Sequence, residues 1–442
     1  MKFYVWLIQA LKENIFDFER KIMNREEIKN KESEVRSYCR KYTDTFGKAK
    51  GVYMYSDNGE KYLDFLAGAG ALNYGHNNDY IKKEVLDYIE NDGLIHGLDI
   101  FTCAKERFIG TLEERILKPR NLDYKIQFCG STGTNAVEAA LKLARKVKKR
   151  SNVIAFSGGF HGMSLGSLSL TSDEFSRNGG GVNLTNVSHM PYPVGCGANF
   201  DTIEYLDNVL HDDHSGIDKP AAIILETVQA EGGINVAPIE WLQRLENLCH
   251  ENDILLIVDD IQVGNSRTGT FFSFERASIT PDIVVLSKSI GGYGFPMSIL
   301  LFKPELDIWK PAEHNGTFRG NQIAFVAGAS AINYNVENNL SDHVKEMGDI
   351  VEKYINENIL CLDYRMELRG IGLIWGIDFS RFKRPDIVKE LIHECYNNHL
   401  IIEAAGRNDL VLKLLPPLVI TREELMDGLE IIKNAIIKVL GE

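Results

Sequence analysis

The sequence lacks an excess of positive charge and lacks any long apolar run. It has 49 Lys and Arg residues against 62 Asp and Glu residues, which gives the 442-residue chain a formal charge of −13. An acidic chain has no basic surface for non-specific nucleic-acid binding. No apolar stretch approaches the roughly 20 residues of a membrane-spanning helix. We therefore expect neither a nucleic acid nor a membrane among its partners.

Paired cysteines are also missing. The seven cysteines are scattered and never stand as Cys-x-x-Cys. This scattered distribution indicates neither a zinc site nor a disulfide framework. We expect no metal, and we predict a cytoplasmic location because unpaired cysteines are typical of a reducing compartment. Hydrophobic residues still make up 44% of the chain, which is enough apolar surface to exclude disorder as its main state.

Short apolar stretches alternate with segments of helical period from residue 125 onward. This alternation is typical of an α/β domain with a mostly parallel sheet. The predicted strands are Ile126–Phe128, Val153–Phe156, Ala222–Leu225, Ile254–Val258 and Ile283–Leu286, then Arg369–Phe379 and Val411–Leu414 nearer the C-terminus. We predict an N-terminal extension over residues 1–35, a large domain over 91–335, and a small domain formed by 36–90 together with 336–442.

The residues after the first two strands suit a phosphate and a flat ring. Ligands of open parallel sheets bind at the carboxyl ends of the strands. The small residues 130–135 precede a helix predicted over Ala136–Lys146, and the N–H groups at such a helix start suit a phosphate; an ordinary capped turn is the alternative. Glycines surround Phe160 and His161, so a flat ligand can approach the backbone there; the alternative is a plain glycine turn over a core phenylalanine.

Charged residues follow the other three strands. Glu226 and Glu231 come after Ala222–Leu225, where a helix cap or a solvated loop is the alternative to a polar site. Asp259 directly follows an apolar run and needs a partner, because an unpaired buried charge is very costly. That partner is a metal, an arginine, a protonated heterocycle or backbone amides. Burial lowers the pKa of a lysine placed as Lys288 is and frees its amine for Schiff-base chemistry, unless the side chain reaches solvent at the sheet edge.

Taken together, these groups match the parts of pyridoxal 5′-phosphate (PLP). One sheet edge carries a phosphate cradle, a stacking aromatic ring, a buried carboxylate and a buried amine. The phosphate of PLP binds at a helix N-terminus, its ring stacks on an aromatic side chain, a carboxylate keeps the pyridinium nitrogen protonated, and a lysine forms the imine. The conjunction predicts PLP as the cofactor.

Several motifs stand out along the same stretch of chain. They are Gly-Ser-Thr-Gly-Thr-Asn-Ala-Val-Glu-Ala-Ala-Leu-Lys-Leu-Ala-Arg at 130–145, Phe160-His161-Gly162, and the segments 226–233, 259–262, 267–269, 287–288 and 316–318. With these motifs, the chain from about residue 34 onward resembles the class-III, or ω-amino acid, aminotransferases. The resemblance implies PLP fold type I, with an aspartate-aminotransferase-like large domain and a small α+β domain from both ends of the chain.

The resemblance also implies roles for single residues in the cofactor site. Lys288 is the expected Schiff-base lysine and proton shuttle, Asp259 the partner of the pyridinium nitrogen, and Phe160 the stacking ring. Gln262 is expected near the ring hydroxyl and Glu226 in the supporting shell. The remaining expected cofactor contacts are His161 and, at the phosphate, Thr132, Gly133 and Thr134.

Two further implications concern subunits and substrates. Thr317 would reach the phosphate of a neighbouring subunit, which implies a homodimer or a higher homo-oligomer with shared active sites. Glu231 resembles a gating carboxylate that lets one pocket accept both an ω-amine and an α-amino acid. Lys413 stands where the family often has an arginine, and a lysine is a point charge without the bidentate fork of arginine. We expect it to contact substrate, more loosely than an arginine would.

Within the family, the segments 65–76, 92–99 and 306–321 are most similar to the branch that transfers the ω-amino group of L-2,4-diaminobutyrate to 2-oxoglutarate in ectoine biosynthesis. This similarity predicts amino acids and 2-oxo acids as substrates. The alternatives are ornithine, acetylornithine or 4-aminobutyrate transamination, an intramolecular aminomutase, and a non-enzymatic PLP-fold scaffold that binds a partner.

Overall fold

The computed structural model describes residues 25–195 and 199–441. The chain separates into two units, residues 1–44 and 45–442. In the first unit, short helices span Arg25–Lys29 and Tyr38–Lys41. Residues 1–24 of the predicted N-terminal extension lie outside the described part of the chain. The predicted domain boundaries at residues 36, 91 and 336 stay predictions.

The second unit alternates strands with helices. Its strands are β1 Phe46–Lys50, β2 Tyr53–Ser56, β3 Lys61–Asp64, β4 Lys125–Phe128, β5 Val153–Phe156, β6 Val187–Met190, β7 Ala222–Leu225, β8 Val228–Gln229, β9 Asn235–Val236, β10 Leu255–Asp259, β11 Ile283–Leu286, β12 Ile299–Phe302, β13 Glu367–Ile371, β14 Ile374–Asp378, β15 Leu400–Ile401, β16 Glu403–Ala405 and β17 Val411–Leu414. Its helices are Asp79–Glu90, Cys103–Leu112, Gly133–Lys148, Leu165–Leu170, Glu174–Asn178, Thr202–His211, Ile239–Glu251, Gln322–Glu337, Leu340–Asn358, Ile387–Asn397 and Arg422–Gly441. A left-handed turn spans Ala67–Gly70.

A seven-stranded sheet forms the centre of this unit. Its strand order is β4-β12-β11-β10-β7-β5-β6, and β12 alone runs against its neighbours. Three strands have the predicted bounds, and β4 begins one residue earlier than predicted. The strand predicted over Ile254–Val258 is shifted by one residue, because Asp259 pairs in register with Val285 of β11. Asp259 is therefore the last residue of a buried strand.

Apolar side chains cover both faces of the central sheet. Every residue of β5, β7 and β11 is buried, as parallel strands between two helical layers must be. The helix Gly133–Lys148 packs its small apolar face on one side of the sheet. It is longer at both ends than the predicted Ala136–Lys146, so its first turn reaches back to the end of β4.

Two smaller sheets combine distant parts of the chain. The order β1-β2-β3-β15 joins residues near position 50 with Leu400–Ile401, and the order β13-β14-β17-β16 is antiparallel throughout. The strand predicted over Arg369–Phe379 is a hairpin that turns at Gly372. The backbone φ there is +57°, and a Cβ would lie 2.5 Å from the carbonyl oxygen of Arg267, so glycine is required. Over residues 25–195 and 199–441, every helix is too short or too polar to cross a bilayer.

Candidate active site

A cavity of about 170 Å³ lies at the carboxyl ends of the central strands. It is lined by Gly133, Thr134, Phe160, His161, Gly162, Glu226, Glu231, Asp259, Ile261, Gln262, Ser287 and Lys288. Strand ends that are far apart in sequence meet here because parallel strands place their carboxyl ends on one edge. Nine of the residues predicted for the site line this single cavity.

The start of the helix Gly133–Lys148 forms one end of the cavity. The helix has no side-chain cap, and no acceptor in the described part of the chain bonds the N–H groups of Gly133 and Thr134. The hydroxyl of Thr134 is held by the hydroxyl of Ser164, at 2.7 Å, and by that of Ser167. Gly162 has a φ of +126°, and a Cβ there would lie 2.5 Å from the Thr134 Oγ1. The result is a narrow positive cradle that suits a phosphate.

Asp259 and His161 form a buried pair on the floor of the cavity. Asp259 is 4% exposed, and its Oδ2 lies 2.8 Å from His161 Nδ1, while its Oδ1 accepts the N–H of Ile261 at 3.2 Å. Burial by itself lowers the pKa of His161, but the hydrogen bond and charge of Asp259, with Glu226, outweigh burial and raise that pKa above its usual value. The contact with His161 therefore holds the carboxyl group of Asp259 in a fixed position beside the cavity.

Glu226 supports the loop that carries Phe160. Its Oε1 accepts the backbone N–H of Phe160 at 2.9 Å and its Oε2 that of Ala230 at 3.2 Å. Burial raises the pKa of Glu226 to about 7, since the favourable charge of His161 offsets only part of the desolvation. Glu226 thus fixes backbone geometry, and the ring of Phe160 stays 36% exposed at the cavity wall.

Lys288 lies two residues after Leu286, the last residue of β11. Its backbone φ is +52°, a left-handed conformation that side chains with a Cβ rarely adopt. Its Nζ donates a hydrogen bond to the carbonyl oxygen of Ala69 at 2.7 Å. Burial lowers the pKa of Lys288 to about 8, although Glu231 opposes the shift. A substantial share of the amine is therefore neutral near physiological pH, as nucleophilic and proton-transfer roles require.

A left-handed turn presents the acceptor for Lys288. Ala67, Gly68, Ala69 and Gly70 all have positive φ, from +48° to +85°. The carbonyl of Ala69 accepts both Lys288 Nζ and Gln262 Nε2, the latter at 2.9 Å. Consecutive residues in this conformation are costly for L-amino acids, so the surrounding contacts must hold the turn in place.

A cluster of charges adjoins the cavity at Glu231. Glu231 Oε1 accepts hydrogen bonds from Lys413 Nζ at 2.7 Å and from Gln262 Nε2 at 3.2 Å. Glu403 Oε1 lies 3.0 Å from the same Lys413 ammonium. Burial works against the charge of Lys413, but the two carboxylates outweigh it and raise the pKa of Lys413 above its ordinary value. The same ammonium, with the nearby Lys288, lowers the pKa of Glu231 to about 2 in spite of burial.

Three predicted residues do not line the cavity. Thr132 is exposed as the residue before the helix, Thr317 lies in an exposed segment, and Lys413 is fully buried behind Glu231. Sequence reasoning missed Glu403 and the carbonyl of Ala69. Glu403 directly follows the apolar residues 400–402. A carboxylate directly after an apolar run is the pattern that also identified Asp259.

A family model described as Aminotransferase class-III matches residues 38–436. The chain belongs to the class-III aminotransferase family. Among its relatives, the diaminobutyrate--2-oxoglutarate transaminase of Wolinella succinogenes is 52% identical over 412 residues, which cover 93% of this chain and 96% of that protein. The transaminase of the same name from Halalkalibacterium halodurans is 51% identical over 410 residues, or 92% of this chain and 94% of that protein.

Solved structures share the fold of this chain. The ornithine aminotransferase of Toxoplasma gondii superposes with a TM-score of 0.83 at 24% identity and covers 97% of this chain and 98% of its own. The taurine:2-oxoglutarate aminotransferase of Bifidobacterium kashiwanohense, solved with PLP and glutamate, gives 0.80 at 22% identity over 90% and 93% of the two chains. The predicted fold class, PLP fold type I with a mostly parallel large sheet, is confirmed.

The residues of this family member fit PLP. Gln262 Oε1 is buried beside the cavity and has no hydrogen-bond partner among the described residues, so it is an acceptor that a ligand hydroxyl could satisfy. A buried unpaired acceptor is costly, which favours a ligand at this point. The uncapped helix start, the buried Asp259 and the amine of Lys288 supply the remaining groups that the cofactor requires.

Proposed function

We propose that the protein transfers the ω-amino group of L-2,4-diaminobutyrate to 2-oxoglutarate, giving L-aspartate 4-semialdehyde and L-glutamate. The observation that carries the chemistry is the meeting of Lys288 and Asp259 in one cavity. The names of relatives that are about half identical over nine-tenths of the chain support the substrate. By the resemblance of the sequence we also propose ectoine biosynthesis as the pathway and the cytoplasm as the location.

PLP would be held at both ends of the cavity. Gly133 and Thr134 would bind its phosphate through their N–H groups, Asp259 would face its ring nitrogen, and Gln262 would meet its ring hydroxyl. Lys288 would hold its aldehyde through Nζ. When bound, PLP supplies an electron sink that stabilises negative charge on the carbon that bears the substrate amine.

Lys288 carries the proton transfer in this proposal. Its Nζ, once free, takes the proton from the substrate carbon that bears the transferred amine and returns it on the cofactor side, so that one group acts as base and then as acid. The hydrogen bond to Ala69 places this amine at the edge of the cavity. The contact with His161 would keep the carboxyl group of Asp259 in place next to the ring nitrogen.

Two different substrates must use the same cavity in turn. With Glu231 paired to Lys413, the cavity wall carries no free positive charge at this point, which suits the ω-ammonium end of diaminobutyrate. When Glu231 turns away, Lys413 is left to bind a carboxylate of 2-oxoglutarate or glutamate. Glu231 has 35% of its side chain accessible, so this movement needs no repacking of the core.

We propose that the working unit is a homodimer or a higher homo-oligomer that shares its sites. Thr317 does not reach the cavity of its own chain and would contact the phosphate in a neighbouring subunit. Phe101 and Phe318 are 88% and 72% exposed, and Leu94, Ile95 and Ile100, in the same stretch of chain as Phe101, are exposed too. The ring of Phe318 packs against His96 of that stretch, with centroids 5.5 Å apart. Exposed apolar groups of this size are typical of protein interfaces. A mixture of Lys288→Ala and Thr317→Val subunits should regain activity that neither variant has alone if the sites are shared.

The visible spectrum of the holoenzyme tests the proposal. We expect a yellow band that disappears on addition of L-2,4-diaminobutyrate and returns with 2-oxoglutarate. A band that ignores diaminobutyrate but is bleached by ornithine or 4-aminobutyrate would overturn the substrate and keep the family chemistry. A protein that takes up no PLP would overturn the cofactor assignment.

A further inference from the structure

Lys413 is held from two sides by carboxylates of different accessibility. On the sheet, Lys413 of β17 pairs in register with Glu403 of β16 and with Gly376 of β14. Gly376 has no side chain, so Glu403 is the one cross-strand neighbour that can reach the ammonium, and it does so at 3.0 Å. From the cavity side, Glu231 reaches the same ammonium at 2.7 Å.

The two carboxylates are not equivalent. Glu403 has 5% of its side chain accessible, whereas Glu231 has 35% and lines the cavity. A ligand carboxylate that enters the cavity can take the place of Glu231, but it cannot reach or replace Glu403. Glu403 is therefore the permanent partner of Lys413, and Glu231 is the exchangeable one.

Lys413 needs a permanent partner because it is a lysine. Burial drives a lysine towards its neutral form, whereas an arginine stays charged in any protein environment. Once Glu231 has left, a buried Lys413 with no remaining carboxylate would lose its proton and could no longer bind an anion. Glu403 keeps the ammonium charged during that interval.

We propose that Glu403 is a positioning residue for the oxo-acid half of the reaction. It holds Lys413 as a fixed ammonium so that a carboxylate of 2-oxoglutarate or L-glutamate can replace the carboxylate of Glu231. This inference rests on the proposed function, because the proposed function has a carboxylate of 2-oxoglutarate or L-glutamate bind to Lys413. It makes Glu403 a determinant of oxo-acid recognition without direct contact with the substrate.

Few other charged groups face Lys413. On the cavity side, the charge of Lys413 lowers the pKa of Lys288, so the two ammonium groups disfavour each other. Further along the same sheet, Arg369 and Asp378 neutralise each other at 2.7 Å. Glu231 and Glu403 are thus the groups that set the charge of Lys413, and the effect of removing Glu403 should depend on pH.

The test uses the holoenzyme with Glu403→Gln, which keeps the volume and removes the charge. We expect the KM for 2-oxoglutarate to rise at least about tenfold at pH 8, since loss of one partner of a buried charged pair is expensive. The rise should grow with pH as Lys413 loses its proton. The single-turnover half-reaction with diaminobutyrate should change less than about twofold. Glu394→Gln removes another low-exposure carboxylate, paired with Lys438 at 2.7 Å, and should leave both substrates unaffected.

Equal losses for both half-reactions at every pH would overturn the proposal and leave Glu403 a structural role only. If Glu403→Gln does not fold, the test uses Glu403→Asp, which keeps the charge at a greater distance from Lys413. Its KM for 2-oxoglutarate should rise less than about tenfold, and the rise should still grow with pH. Equal losses for both substrates in Glu403→Asp would also contradict the proposal. If diaminobutyrate fails with the wild-type enzyme, the half-reaction with L-glutamate still measures the Glu403 effect. Failure of the proposed function is therefore separate from failure of this inference.

Discussion

Lys288 and Lys413 belong to one site and are both removed from bulk water, yet their pKa values move in opposite directions. Lys288 lies two residues beyond the end of β11 in the central sheet, and its Nζ bonds an uncharged backbone carbonyl, so desolvation lowers its pKa to about 8. Lys413 lies in the C-terminal sheet between two carboxylates, which raise its pKa above the ordinary value. The partner of a buried amine, and not burial alone, decides whether the amine is reactive or a fixed charge.

This difference separates two tasks within one small volume. A reactive amine must lose its proton easily, whereas an anchor for an anion must keep it. Glu231 is the group that links the two, because its carboxylate favours the charged form of both lysines.

The largest expected effect follows from Lys288→Ala. Transamination should fall at least by the roughly 10²–10⁴-fold that a positioned proton-transfer group contributes, and the substrate half-reactions should be lost with it. Single-turnover absorbance measures the change. Lys389→Ala, at a lysine with 84% of its side chain exposed, is the control and should behave as wild type. Turnover within tenfold of wild type in Lys288→Ala would remove Lys288 from the mechanism.

The next effect is on stability. Lys413→Met leaves Glu403 buried without its partner, which should cost about 3–5 kcal/mol of stability. A clearly lower urea midpoint of the holoenzyme is the expected readout. The double variant Lys413→Met with Glu403→Leu removes both charges, and it should recover much of the loss while its affinity for 2-oxoglutarate stays weak. An unchanged midpoint in the single variant would contradict the buried ion pair.

The pH dependence of chemical labelling tests the lowered pKa of Lys288 directly. In the cofactor-free protein, chemical labelling of Lys288 should rise about tenfold per pH unit up to about pH 8 and then level off, because the neutral amine is the reactive form. Labelling of a short reference peptide that contains one lysine, added to the same sample, should keep rising beyond pH 9. Mass spectrometry follows the protein peptide and the reference peptide together. A Lys288 profile that parallels that of the reference peptide would refute the lowered pKa.

The smallest effect is expected from Glu231→Gln. Removal of this carboxylate takes a favourable charge from both lysines, so the labelling profile of Lys288 should move to lower pH. Lys413 keeps Glu403 and should remain charged, so the urea midpoint should change far less than in Lys413→Met. Glu394→Gln provides the matched control with no shift. A Lys288 profile that moves to higher pH would show that Glu231 does not act through its charge.

Much of the site could be predicted because parallel strands bring their carboxyl ends together. Four residues that line the cavity stand at the end of an apolar strand or shortly after it: Phe160, Glu226, Asp259 and Lys288. The one-residue shift of β10 changed a strand bound without moving Asp259 away from the site. Local apolar patterns were sufficient for this half of the molecule.

The other half depends on contacts between distant segments. The pairing of Glu403 with Lys413 is set by the register of β16 on β17, and a register is not visible in residue order. The left-handed turn that ends at Gly70 also depends on tertiary contacts, since alanine alone does not predict positive φ. The role of Thr317 needs a second subunit and stays a prediction.

The proposed reaction moves the ω-amine of diaminobutyrate to 2-oxoglutarate, with Lys288 as the proton-transfer group. The most direct test supplies the wild-type holoenzyme with 2-oxoglutarate and L-2,4-diaminobutyrate that carries ¹⁵N on C4 alone, and follows the label by mass spectrometry. We expect labelled glutamate together with unlabelled nitrogen in aspartate 4-semialdehyde. Unlabelled glutamate, with the label kept in the oxo-acid product, would mean that the α-amine is transferred and would refute ω-transamination.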